Sequence, residues 1–198
     1  MYKRQVSALG FGTEENMAAV RAMKSSLASW HDATPVCLID RKRLGALAAE
    51  QGLAGYTPLE RLVLATLGGV VARSGVTPAD KRVLIVLATT KGEIGSLGSA
   101  PERCDLNRTA EVVGRHFGAA HRPLLVSNAC ISGVSAIVIA ARLIRSGRYD
   151  HVFVAGFDLL CDFIVSGFNA FKSVSPTLCR PYDLSLIHIS EPTRLALI

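Results

Sequence analysis

The sequence predicts an α/β domain built on a parallel sheet, and three observations carry that expectation. Arg82 to Thr90 is a near-continuous β-branched and aliphatic run, the pattern of a strand buried on both faces. Leu124 to Ser127, opened by Pro123, and His151 to Ala155 are two further short apolar runs. Between them lies Gly133 to Arg145, an apolar, small-residue-rich stretch of helical length stopped by Ser146-Gly147. Strand, helix and strand at this spacing make a parallel crossover unit.

The other elements follow in chain order. Thr13 is placed to cap a helix running from Glu14 towards Trp30, with acidic residues in the first turn where the helix dipole favours them. Asp40-Arg41-Lys42-Arg43 reads as a short charged turn. Thr57-Pro58-Leu59-Glu60 combines a capping box with proline at the first helical position, and the apolar residues Leu62, Val63, Leu67 and Val70 extend that helix towards Ser74-Gly75. After the Arg82 strand comes a glycine-bearing loop, Lys91 to Pro101, then a helix from about Asn107 to Phe117. Gly92 to Gly98 matches neither a dinucleotide fingerprint nor a phosphate-binding loop, and reads as a flexible loop.

Composition narrows the function classes. The 198 residues are 49% hydrophobic and 19% charged, enough apolar material for a sizeable core and too much for disorder. The best apolar stretch, Gly133 to Ala141, stops at Arg142, short of the ~18 residues of a membrane span. The formal charge of +6 is a mild surplus that points to surface solvation rather than nucleic acid. Five unpatterned cysteines, Cys37, Cys104, Cys130, Cys161 and Cys179, fit a reducing, cytoplasmic compartment better than a disulfide framework. Cys161 and Cys179 lack the spacing and the histidines of a zinc site, so no metal is expected.

Both ends read as foreign to the domain. With a GTG start, Met1 to Gln5 can be encoded by DNA whose reverse complement translates as Leu-Ser-Leu-Ile-His, the run Leu184 to His188. That DNA resembles a transposase mosaic-end sequencing adaptor, and Ile189 to Ile198 continue it. The expected organisation is adaptor-derived residues 1–5, a domain over 6–183, and adaptor-derived residues 184–198.

Cys130 is the residue with chemistry. It lies between a buried strand and the first turn of a helix, where unpaired backbone N–H groups and the dipole favour an anion. Its neighbours Ala129, Ser132 and Gly133 are small enough for a sharp turn and for a substrate to approach the sulfur, the logic of a nucleophile elbow. Taken locally, a small buried packing cysteine is the commoner explanation of such a position.

The longer pattern separates these readings. Asn128-Ala129-Cys130-Ile131-Ser132-Gly133, then Ile144 to Asp150 and Val154-Ala155-Gly156-Phe157-Asp158, resembles the β-ketoacyl-ACP synthases. Gly167-Phe168, Ser173 to Pro176 and Arg180-Pro181-Tyr182-Asp183 are similar to that family's stretch leading into an Arg-Pro-Phe-Asp element. Ala155, Phe157 and Tyr182 depart from the usual residues. The resemblance is strong from Ser127 to Asp183 and looser upstream.

It implies the N-terminal half of a thiolase-like layered α/β fold, with a mixed sheet and strand-helix-strand crossovers. It further implies that Cys130 is the nucleophile of a decarboxylative Claisen condensation between an acyl thioester and malonyl-ACP. The substrates ride on the phosphopantetheine of an acyl carrier protein, no other cofactor is implied, and members form homodimers or heterodimers. The family's two catalytic histidines, or histidine and asparagine, fall beyond Asp183, and none of His31, His116, His121 and His151 sits in a matching motif. The chain alone is therefore expected not to condense, and to be poorly soluble because helices meant for the second half lack partners. The rivals are a non-catalytic chain-length-factor-like subunit, against which Cys130 argues, and another thiolase-fold acyltransferase.

Overall fold

The protein is described here from a computed structural model covering residues 3–31 and 34–174. The stretches Pro176 to Asp183 and Leu184 to Ile198, with Cys179, lie outside the described residues. In order, the elements are α1 (Thr13–Arg21), β1 (Leu27–Trp30), β2 (Thr34–Cys37), α2 (Arg41–Glu50), α3 (Pro58–Ser74), β3 (Val83–Ala88), α4 (Leu106–His116), β4 (Leu124–Val126), α5 (Ser132–Arg145), β5 (His151–Gly156) and α6 (Asp162–Ala170).

Every residue of β3 is buried, and the pleat explains how. Val83, Ile85 and Leu87 point to one face, where they pack with Leu59, Val63 and Leu67 of α3 and Val113 of α4. Leu84, Val86 and Ala88 point to the other, against Ala136 of α5 and Val126 of β4. Both faces of the sheet are thus covered by helices, the layered arrangement expected of α/β proteins. The described sheet is wholly parallel in the order β4-β3-β5, with Val86 opposite Leu124 and Val83 opposite His151. Antiparallel pairing occurs in the separate β1–β2 hairpin, Leu27 opposite Cys37 and Trp30 opposite Thr34.

Helix α3 is built as its sequence signals dictate. The Thr57 hydroxyl accepts from the Glu60 N–H at 3.2 Å, and the Glu60 carboxylate accepts from the Thr57 N–H at 2.8 Å. Pro58 opens the first turn, and Gly75, at φ +68°, closes the helix in the left-handed conformation glycine tolerates best. Glycine is required again at Gly92 (φ +58°), where a β-carbon would come within 2.6 Å of Leu106 Cδ2.

Four expectations are corrected upstream and in the loop. The first helix ends at Arg21, and Met23 sits at φ +50°, so the chain turns out of the helix and its continuation pairs as a hairpin instead of reaching Trp30 as helix. Gly12, not Thr13, occupies the N-cap, and the anchor is Asn16. Only 3% exposed, Asn16 donates to the carbonyls of Gly10 and Gly12 and accepts from Ser7 Oγ, folding the preceding segment onto α1. The run Asp40 to Arg43 is no turn: Asp40 Oδ1 accepts from the Lys42 and Arg43 N–H groups and caps α2. The loop after β3 contains two short 3-10 turns, Ile94–Ser96 and Pro101–Cys104, where a flexible loop was expected.

Candidate active site

The site lies where the parallel strands end. The chain leaves β3 towards α4 on one face of the sheet and leaves β4 towards α5 on the other. Such a divergence opens a crevice at the carboxyl ends of adjacent strands, the usual ligand position in α/β folds.

Cys130 stands there, exposed, between the end of β4 and the start of α5. The turn that presents it is tight: the Ile131 N–H donates to the Asn128 carbonyl at 3.1 Å and the Ser132 N–H to the Ala129 carbonyl at 3.2 Å. The buried Ser132 hydroxyl reinforces it, accepting from the Asn128 N–H at 2.8 Å and donating to the Ala129 carbonyl at 2.7 Å. Ala129, immediately before the sulfur, is held at φ +44°, a left-handed conformation disfavoured for a residue with a β-carbon. Backbone strain of this kind persists only where neighbouring contacts over-determine the geometry. No described residue accepts from the Cys130 N–H. The small-residue turn is present and Cys130 is exposed on it, but β4, expected to be buried, is only partly so, and Cys130 precedes the Ile131 N-cap of α5.

A second group of polar residues lies at the same ends of the strands. Asp158, two residues beyond β5, accepts from Thr89 Oγ1 at 2.8 Å, the Thr90 N–H at 3.0 Å and Thr90 Oγ1 at 3.0 Å. Ser127, directly after β4, donates its hydroxyl to the Thr90 carbonyl at 3.2 Å. The sequence reading gave Asp158, Thr89 and Thr90 no role. Their signal was positional, since all three are polar residues within two positions of a strand's end, but the pairing of β5 with β3 had to be known before it meant anything.

Glu93, in the loop after β3, accepts from Thr57 Oγ1 at 2.5 Å. Burial pushes its carboxyl above the ordinary value; the Thr57 hydrogen bond opposes that shift and the Glu60 carboxylate adds to it. The histidines take no part in the turn. His151 begins β5 and His121 lies just before β4, both at the opposite end of the strands from Cys130, with His121 bonded to the Lys81 carbonyl at 2.9 Å. His116, at the end of α4, bonds Tyr56 Oη at 3.2 Å, and burial lowers its pKa. His31 pairs with Asp162 at 3.0 Å, an exposed contact that pins the hairpin to α6. Among the described residues no helix is long and apolar enough to cross a membrane.

No protein-family model matches the sequence, and no curated protein matches it. Solved structures do match the fold. A ketosynthase, ApeO, in complex with its chain length factor ApeC from Xenorhabdus doucetiae superposes with a TM-score of 0.70 at 21% identity, over 91% of this chain and 52% of that one. The ishigamide ketosynthase/chain length factor gives 0.68 at 19% identity, over 90% and 55%. A beta-ketoacyl synthase from Burkholderia phymatum STM815 gives 0.70 at 18% identity, over 92% and 55%. The chain therefore has the thiolase-like α/β fold of the ketosynthases, and it spans about half the length of those it matches.

Proposed function

We propose that this chain is the nucleophile-bearing part of a β-ketoacyl synthase, and that Cys130 accepts the acyl group. The single observation that carries this reading is the exposed Cys130 sulfur on a strained strand-to-helix turn within a ketosynthase fold. The Cys130 thiolate attacks the carbonyl carbon of an acyl thioester presented on the phosphopantetheine of an acyl carrier protein. The Cys130 N–H donates to the oxyanion of the tetrahedral adduct. Collapse breaks the carbon–sulfur bond to the pantetheine, whose thiolate takes up a proton, and the acyl group remains on Cys130. In the whole enzyme, malonyl-carrier protein then loses carbon dioxide, the resulting carbanion attacks the acyl carbonyl, and the acyl–sulfur bond breaks to return the Cys130 thiolate and leave a β-ketoacyl thioester on the carrier protein.

Among the described residues no histidine stands beside Cys130 to polarise a malonyl thioester, and the proposal gives this chain the acylation step alone. Pairing with a second ketosynthase-fold subunit, alike or different, is part of the proposal. The apolar outer face of α5, immediately after Cys130, supports it: Val134 and Ile137 are 64% and 60% exposed, beside exposed Ile131, Val138 and Ile144. A non-catalytic chain-length-factor role is disfavoured by the presence of Cys130.

The test is acylation by a small acyl thioester of N-acetylcysteamine, read as an acyl mass increment on the peptide containing Cys130. The unaltered chain should gain the label at Cys130 in preference to Cys37 and should release no β-ketoacyl product when malonyl thioester is added. Cys130→Ala should gain none on that peptide. Equal labelling of all exposed cysteines would overturn the assignment.

A further inference from the structure

The strain at Ala129 needs something outside the turn to maintain it, and the ends of the three strands supply a connected path. Asp158 Oδ1 collects three donors from the two residues after β3: both threonine hydroxyls and the Thr90 N–H. Thr89, 1% exposed, is fully committed, since its hydroxyl also accepts from the Gly92 N–H at 3.0 Å. The Thr90 carbonyl then accepts from Ser127 Oγ, and the next residue, Asn128, enters the turn whose backbone Ser132 closes. Strands β5 and β4 are separated by β3, and the hydrogen bonds that carry Asp158 towards the turn run through Thr90 at the end of β3.

We propose that Asp158 is a positioning residue for Cys130, acting through Thr90 and Ser127 to hold the end of β4 in the register that keeps the Ala129 turn strained and the sulfur presented. This rests on the reading of Cys130 as the nucleophile, but its test does not need an acyl substrate. The full chain and its variants are treated with iodoacetamide, and the carbamidomethylation rate of Cys130 is divided by that of the exposed Cys37 in the same sample.

Asp158→Ala should lower this ratio by about fivefold, the equivalent of one hydrogen bond. Asp158→Asn keeps the Oδ1 acceptor without the charge and should restore most of it. Ser127→Ala cuts the path one step from the turn, leaves Asp158 and its threonines in place, and should lower the ratio similarly. An unchanged or increased ratio in Ser127→Ala overturns the proposal. So does an Asp158→Asn value as low as that of Asp158→Ala, because charge rather than positioning would then be responsible. Unfolding of Asp158→Ala would show as Cys104 and Cys161, both partly shielded, rising to the rate of Cys37; the Asp158→Asn and Ser127→Ala ratios then decide. Failure of acylation with the alkylation ratios as expected would overturn the nucleophile reading alone.

Discussion

Glu93 shows how one residue's environment sets its proton. Its carboxyl sits half-buried over the start of α3, with Thr57 Oγ1 as donor and the Glu60 carboxylate nearby, and desolvation raises its pKa in the folded protein. An acid whose folded pKa lies above its unfolded value binds more protons when folded, so stability falls as pH rises from the unfolded pKa through the folded one. Glu93→Gln should therefore be more stable than the unaltered chain at neutral pH, and the difference should disappear as pH drops below the ordinary glutamate range. Urea denaturation at a series of pH values checks this; a difference that grows on acidification would show that burial is not the dominant influence. The Cys130→Ala and Asp158 outcomes belong to this scale too, because each turns on one atom: a sulfur in one case, a carboxylate oxygen in the other.

At the scale of the element, α3 is the helix most completely specified from within. It has a reciprocal capping box, proline in the first turn and a left-handed glycine at its end. It also supplies the largest helical share of the core against Val83, Ile85 and Leu87. Thr57→Ala removes the cap from the Glu60 N–H and the donor to Glu93 together, so a loss of about 1–2 kcal/mol in unfolding free energy is expected by urea titration. Thr57→Ser retains the oxygen and should recover most of that loss. Helix α5 is specified differently. It has no side-chain cap, and its start is fixed by Ser132 and the turn before it. Its position depends on small residues, Ala136 and Ala140, that let it lie close to the sheet.

At the scale of the whole molecule, the same helix carries apolar residues on both sides. Its inner face is buried on β3, while Ile131, Val134, Ile137, Val138 and Ile144 face outward. A helix that is apolar on its outer as well as its inner face over its first two turns is one made to be covered there. Expressed alone, the chain should give a low soluble yield and bind a hydrophobic dye. Val134→Lys with Ile137→Lys should raise the yield and lower dye binding without changing the melting temperature by more than a few degrees, since neither side chain is in the core. Unchanged dye binding in that double variant would place the exposed apolar surface elsewhere on the molecule.

The sequence by itself determined the elements whose signals are local. The apolar run from Arg82 to Thr90 pointed to a strand buried on both faces, which the structure has at Val83–Ala88; Thr57 to Glu60 signalled a helix start; and the small-residue turn around Cys130 followed from the strand before it and the helix after it. Tertiary structure decided everything that depends on partners distant in the chain. Met23 leaves the first helix without a glycine or proline to announce it, and the hairpin that follows is stabilised by cross-strand pairing and by Asp162, which accepts from Trp30 Nε1 and His31 Nε2. Asp40 is the exception, a local cap to the Lys42 and Arg43 N–H groups two and three residues on, hidden in the sequence by the charged run around it. Asp158 became meaningful only when β5 was laid against β3, bringing its carboxylate to Thr89 and Thr90. Propensity and capping act within a turn or two of the chain, whereas strand order and the hydrogen bonds between strand ends are set by which surfaces must be buried together.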